Sequence, residues 1–289
     1  MSRPEGVPLS TLVDSATPAN GGGRGRRLLS TLVLLPVFVW VVAYAPTWAF
    51  IGTIVLVGGL GQWEFIRMFH RAGRATFSGI GLVGGVAVTA SFAVTDLAPA
   101  ALSVVVLGAL AAGLRRPGGA APPWEPAAIT ILGVCYVNWL LGHALWLRGL
   151  RAGMEWVLLL VWVTWIGEIA AYLVGSTIGR RKLASVVSPK KTVEGALAQL
   201  LISPVAALAA GAWLMPSISG REAVAVGLLL GVVGQVGDLV ESLLKRSVGT
   251  KDTGHLIPGH GGILDRLDGL LFNTPVLFYY AAHVRVLVL

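Results

Sequence analysis

From residue 28 onward the chain is a succession of apolar runs of roughly 17 to 25 residues, the length a helix needs to cross a bilayer core. They cover Leu28 to Tyr44, Thr47 to Trp63, Phe77 to Val94, Leu97 to Leu114, Ala127 to Leu147, Trp156 to Val174, Gly195 to Met215, Ala223 to Leu244 and Gly269 to Leu289. The expectation is an all-α, polytopic membrane protein of about nine transmembrane helices. Composition excludes the soluble alternative. With 289 residues, 55% of them hydrophobic and 12% charged, and a mean hydropathy of +0.77, the chain is too apolar for a soluble domain of this size.

Alternating the connectors across the membrane tests the orientation. With the N-terminus inside, one face collects Arg3, Arg24, Arg26, Arg27, Arg67, Arg71, Arg74, Arg115, Arg116, Arg180, Arg181, Lys182, Lys190, Lys191, Lys245, Arg246, Lys251 and Arg266. The other face has Arg148, Arg151, Arg221 and Arg285, so all but four of the 22 Lys and Arg lie on one side. Cationic connectors stay in the cytoplasm, which predicts a cytoplasmic N-terminus and an outside C-terminus in a multi-pass protein of the cell membrane. The net charge of +8 does not point to nucleic acid, because the charges flank apolar runs and form no continuous stripe. Residues 1–27, rich in Ser, Pro, Gly and Thr, read as a disordered cytoplasmic lead, and residues 28–289 as one transmembrane domain. Arg24, Arg26 and Arg27 before Leu28 to Tyr44 imitate a signal peptide, but the run is long and a second follows at once, so we read it as a retained span. A single cysteine, Cys135, supports no disulfide framework.

Two connectors are more than connectors, 175–194 and 245–268. The stretch SLLKRSVGTKDTGHLIPGHGGILDRLD, Ser242 to Asp268, gathers Lys245, Arg246, Lys251, His255, His260 and Arg266 with Asp252, Asp265 and Asp268 among glycines that include Gly261 and Gly262. Glycines let backbone N–H groups approach phosphate oxygens, cations neutralise them, and aspartates offer the hard oxygen ligands that Mg²⁺ takes. Either histidine could touch a phosphate or act in proton transfer. Asp238 and Glu241, at i and i+3 before the loop, repeat the spacing of Asp265 and Asp268 after it. Up to four carboxylates could thus surround one or two cations. A competing reading pairs Asp238 and Glu241 with Lys245 or Arg246 one turn on. In GRRKLASVVSPKKTVEG, Ser188 before Pro189 reads as a turn, and Thr192 with Glu194 reads as a helix start where phosphate could sit beside Lys190 and Lys191. A purely topological role competes for these lysines.

The 242–268 stretch resembles the signature of the phosphatidate cytidylyltransferases (CDP-diacylglycerol synthases). It matches at Ser242, Lys245, Arg246, Lys251, Asp252, Gly254, Pro258, His260, Gly261, Gly262, Asp265, Arg266 and Asp268. SPKKTVEG, Ser188 to Gly195, is a second likeness, with Val193 where the family usually shows Trp. In WIGEIAAY, Glu168 stands where similar proteins usually place Asp. The resemblance implies an enzyme that joins CTP to phosphatidate, gives CDP-diacylglycerol and pyrophosphate for phospholipid synthesis, and works as a homodimer. It implies that Lys245, Arg246, Lys251, Asp252, His260 and Arg266 act around the phosphates. Ser188, Lys190, Lys191, Thr192, Glu194, Gly261 and Gly262 would bind substrate. Asp238, Asp265, Asp268 and Glu241 would hold Mg²⁺. Three alternatives stand beside it: cytidylyl transfer to another lipid phosphate, a membrane transporter, which charges concentrated at one membrane edge disfavour, and a catalytically weakened relative, for which Glu168 is the only hint.

Overall fold

The computed structural model describes residues 36–94, 96–115, 122, 124–254, 256 and 261–284. The lead, the beginning of the first apolar run, His255, His260, Arg116 and Arg285 therefore lie outside the described residues. A helical segment occupies each of the nine expected positions among the described residues. These are α1 (36–43), α2 (Thr47–Arg71), α3 (Ser78–Ser91), α4 (Ala98–Leu114), α5 (Glu125–Gly133) with α6 (Leu140–Gly149), α7 (Gly153–Thr177), α8 (Val193–Trp213), α9 (Gly220–Ser247) and α10 (Asp268–Tyr279). A π-helical turn, Val134–Trp139, joins α5 to α6, so Glu125–Gly149 is one continuous span. That span, α2, α7, α8 and α9 are each long and apolar enough to cross a bilayer, and α3 and α4 are shorter apolar helices. Large apolar side chains such as Val83, Val104, Leu107 and Leu201 are exposed on the outside of the bundle. That arrangement suits lipid, and the protein is an all-α polytopic membrane protein.

Local chemistry sets where the helices begin. Thr192 has extended backbone and its Oγ1 accepts the Gly195 N–H at 3.2 Å, which starts α8 at the expected place. Ser219 opens α9 with a capping box, its hydroxyl accepting from Glu222 N at 3.2 Å while Glu222 Oε2 accepts from Ser219 N at 3.4 Å. Two expectations need correction. Ser188 is not in a simple turn: Lys182–Ala184 (β1) and Ser188–Thr192 (β2) form an antiparallel hairpin in which Ala184 faces Ser188 and Lys182 faces Thr192. The second helix does not stop at Trp63 but runs to Arg71, because Phe65, Ile66, Met68 and Phe69 are buried in the core beyond the end of the apolar run.

Helix α7 packs along α8, α8 along α9, α9 along α10, and α10 returns to α6. The α8–α9 contact is backbone-close. Gly227 faces Pro204 so tightly that any Cβ there would strike the Pro204 backbone. This approach carries the hairpin ahead of α8 to the last turns of α9.

Candidate active site

The C-terminal turns of α7, the hairpin, the start of α8, the end of α9 and the start of α10 share one end of the bundle. There Lys191 Nζ lies 2.6 Å from Asp238 Oδ2. The pair borders a cavity of about 570 Å³ that also takes in Lys190, Thr192, Gln235 and Glu168. Glu168 reaches it from α7, and Gly269 at the head of α10 packs directly on its carboxylate. Across the α9–α10 contact, a Cβ at Gly237 would come within 2.6 Å of the Asp268 carbonyl. Two glycines therefore bring Glu168, Asp238 and Asp268 close enough to feel one another's charge. Asp268 Oδ1 also accepts the Gly269 N–H at 2.8 Å.

A second charge group lies one turn further along α9. Lys245 Nζ sits 2.9 Å from Glu241 Oε1 and 2.9 Å from Asp265 Oδ1. The other Asp265 oxygen accepts Gly262 N at 2.8 Å, Thr253 Oγ1 at 3.0 Å and Thr253 N at 3.2 Å. Burial alone would raise this carboxyl, but the Lys245 ammonium and the Gly262, Lys245 and Thr253 hydrogen bonds outweigh it and hold Asp265 below the usual carboxylate range.

The remaining site residues divide between those tied into the fold and those that are exposed. Arg246 fastens the hairpin to the loop, with Nε donating to Val187 O at 3.4 Å and Nη1 to Thr250 O at 3.0 Å. Glu194 accepts the backbone N–H groups of Arg180 at 3.0 Å and Arg181 at 3.2 Å, so its carboxylate closes the approach to the hairpin. Ser188 faces Ala184 within the hairpin. Lys251, Asp252 and Arg266 are exposed. Gly261 takes φ +89°, a turn conformation that glycine enters freely. The Gly262 N–H is engaged by Asp265 and does not point to a free anion site.

The four carboxylates expected around a cation thus separate into two groups. Among the described residues no three His, Cys, Asp or Glu side chains are arranged to hold a metal ion by themselves. At Glu241 and Asp265 the ammonium of Lys245 stands in the cation's place. Asp238 also carries an ammonium, that of Lys191, but Asp268 beside it forms no ion pair among the described residues. Asp238 and Asp268, with Glu168 near them, are therefore the carboxylates that would take Mg²⁺, an ion commonly held by one or two carboxylates and completed by water and substrate phosphate.

Sequence reasoning passed over Glu64 and Thr253. Glu64 is fully buried on α2, and Leu264 N donates to its Oε2 at 2.9 Å. The available signal was an acidic residue one position past the point where the second apolar run was ended.

Apolar helices with a cavity lined by Lys190, Lys191, Glu168 and Asp238 at one end describe an integral-membrane protein with a charged pocket. Comparison with known proteins makes this particular: the cytidylyltransferase family model matches residues 25–284, and the chain belongs to that family. One relative, uncharacterized protein YnbB of Escherichia coli K12, is 43% identical over 145 residues, covering 48% of each chain. A phosphatidate cytidylyltransferase of Staphylococcus aureus (strain COL) is 38% identical over 151 residues, 52% of this chain and 57% of the relative. Another of that name, from Synechocystis sp., is 44% identical over 124 residues, 40% of this chain and 39% of the relative. The matched region thus spans about half the length of these relatives.

Proposed function

We propose that this protein is a phosphatidate cytidylyltransferase: it transfers the cytidylyl group of CTP to phosphatidate, giving CDP-diacylglycerol, at the cytoplasmic face of the cell membrane. The observation that carries the reading is the Lys191–Asp238 pair on a cavity that also holds Lys190 and Glu168. Cations for phosphate and carboxylates for a divalent ion are brought to one membrane edge, where a lipid phosphate and a water-soluble nucleotide can both arrive. The distribution of Lys and Arg supports placing that edge in the cytoplasm, with nine spans and the C-terminus outside. Family membership and the names of the two cytidylyltransferase relatives support the substrates.

In the reaction a phosphate oxygen of phosphatidate bonds to the α-phosphorus of CTP, and the bond from that phosphorus to the oxygen bridging the β-phosphorus breaks. Pyrophosphate leaves with that electron pair. The nucleophile is already anionic, so no residue has to act as general base. Lys190 and Lys191 neutralise and align the phosphates in the cavity, and Lys251 and Arg266 add cationic charge from the loop. Lys245 and Arg246 hold the loop and hairpin in register. Mg²⁺ held by Asp238 and Asp268 would supply charge neutralisation at the nucleotide phosphates. A homodimer is part of the proposal, on the family likeness.

The test is turnover of CTP by the purified protein in detergent with phosphatidate, with and without Mg²⁺. Formation of CDP-diacylglycerol and pyrophosphate only when phosphatidate and Mg²⁺ are both present is the expected result. Product with a different lipid phosphate and none with phosphatidate would transfer the reading to that acceptor. No CTP consumption with any lipid phosphate would overturn it.

A further inference from the structure

Glu64 lies two turns before the end of α2 and is wholly buried. Its Oε2 accepts the Leu264 N–H at 2.9 Å and lies 3.4 Å from the Thr253 hydroxyl, which is also 3.0 Å from Asp265 Oδ2. Its Oε1 has no hydrogen-bond partner among the described residues. A Cβ on either Gly254 or Gly262 would collide with this carboxylate. Two glycines of the signature loop are therefore shaped to a side chain in a helix near the other end of the chain. Packing does not account for Glu64, because an apolar residue at this position would be buried without the desolvation penalty of a carboxylate. What the carboxylate adds is an acceptor for the Leu264 N–H.

We propose that Glu64 is a positioning residue: from α2 it fixes Leu264 through its N–H and, at longer range, packs on Thr253, and so holds Asp265, next to Leu264 and bonded to Thr253, in register with Lys245. It touches no reacting group. Its consequence for catalysis rests on the cytidylyl transfer proposed above, whereas its hold on the loop does not.

The test is hydrogen exchange on the purified full chain in detergent, without substrate, for wild type, Glu64→Ala, Glu64→Asp and Glu64→Gln. Loss of the acceptor should speed exchange at Leu264, whose N–H it holds, roughly tenfold in Glu64→Ala, and also in Glu64→Asp, whose carboxylate falls short of that N–H. The Thr253 N–H, held by Asp265, should exchange faster as Asp265 shifts. Glu64→Gln keeps an acceptor oxygen at the same reach and should stay near wild type, and peptides from α8 should not change in any variant. If Glu64→Ala does not accumulate as folded protein, Glu64→Asp carries the same comparison. Turnover per folded molecule should show a lowered kcat with little change in KM for CTP in Glu64→Ala or Glu64→Asp, and recovery in Glu64→Gln. Wild-type exchange in both Glu64→Ala and Glu64→Asp overturns the proposal. Faster exchange with an unchanged kcat overturns the positioning role. A wild type that turns over no CTP counts against the reaction alone, and exchange still decides whether Glu64 holds the loop.

Discussion

Lys191 Nζ and Asp238 Oδ2 stand 2.6 Å apart, joining the hairpin before α8 to the last turns of α9. Both lie on the cavity wall, so the pair is at once a tie between two elements and a cation and an anion presented to a ligand. Lys191→Met should remove the ammonium with little change in bulk. We expect CTP turnover to fall about a hundredfold, the scale seen when one charge-stabilising donor is lost, with the protein still inserted and folded. Turnover within a few-fold of wild type would remove Lys191 from phosphate stabilisation and leave it the structural tie alone.

Asp265 stands in a different relation to its lysine. Its two oxygens accept from Lys245, Gly262 and Thr253, so Asp265→Asn must turn an NH₂ group toward one of those donors. The expected cost is about 1–3 kcal/mol for the unsatisfied arrangement, together with loss of most activity. The pH dependence follows from the lowered folded-state value of this carboxyl. A depressed folded value means that its stabilisation is fully present above the ordinary carboxylate range and is lost as pH falls through that range toward the folded value. The gap in melting temperature between wild type and Asp265→Asn, measured in detergent, should therefore be constant near neutrality and narrow on acidification. A gap that widens in acid would contradict this assignment.

The spans, the cap at Thr192 and the cationic loops were legible in the sequence because each depends on neighbours in the chain: a sustained apolar run, a hydroxyl three residues before the N–H it accepts, a cluster of like charges. Glu64 was not legible for the opposite reason. Its partner Leu264 is 200 positions away, and Gly254 and Gly262, where a side chain would strike the Glu64 carboxylate, read in sequence as room for phosphate. Lys245 shows the same limit at shorter range. Sequence spacing offered Glu241 both to a metal and to a lysine and Asp265 only to a metal, and the fold places Lys245 between the two. The strand at Ser188 escaped because so short a hairpin has too few residues to show alternation.

Sidedness can be measured without assaying activity. A reporter fused after Leu289 should be outside the cytoplasm, and one inserted near Ala184 in the hairpin should be inside, because the Lys and Arg of 180–191 and 245–266 mark that face. Both reporters on one side would break the nine-span count and the cytoplasmic placement of the cavity.

Glu168 is the departure from the family pattern, and the structure places it on the cavity wall with Asp238, against Gly269. If its carboxylate serves the cation or nucleotide, Glu168→Gln should lower turnover and raise the Mg²⁺ required, while Glu168→Asp should keep or improve activity by restoring the usual residue. If it is only a hydrogen-bonding spacer between α7 and α10, the order reverses. Gln has nearly the same shape and would be tolerated, whereas Asp leaves a gap of about one methylene against Gly269, worth roughly 1 kcal/mol in a packed interior. The place of Glu168 on the cavity wall with Asp238 favours the first ordering, because a carboxylate there reaches any ligand that the Lys191–Asp238 pair also faces. A Mg²⁺ titration of CTP turnover in the two variants reads this directly: we expect the half-saturating Mg²⁺ concentration to rise severalfold in Glu168→Gln and not in Glu168→Asp. Superimposable titrations of wild type and Glu168→Gln would end the functional assignment of this residue.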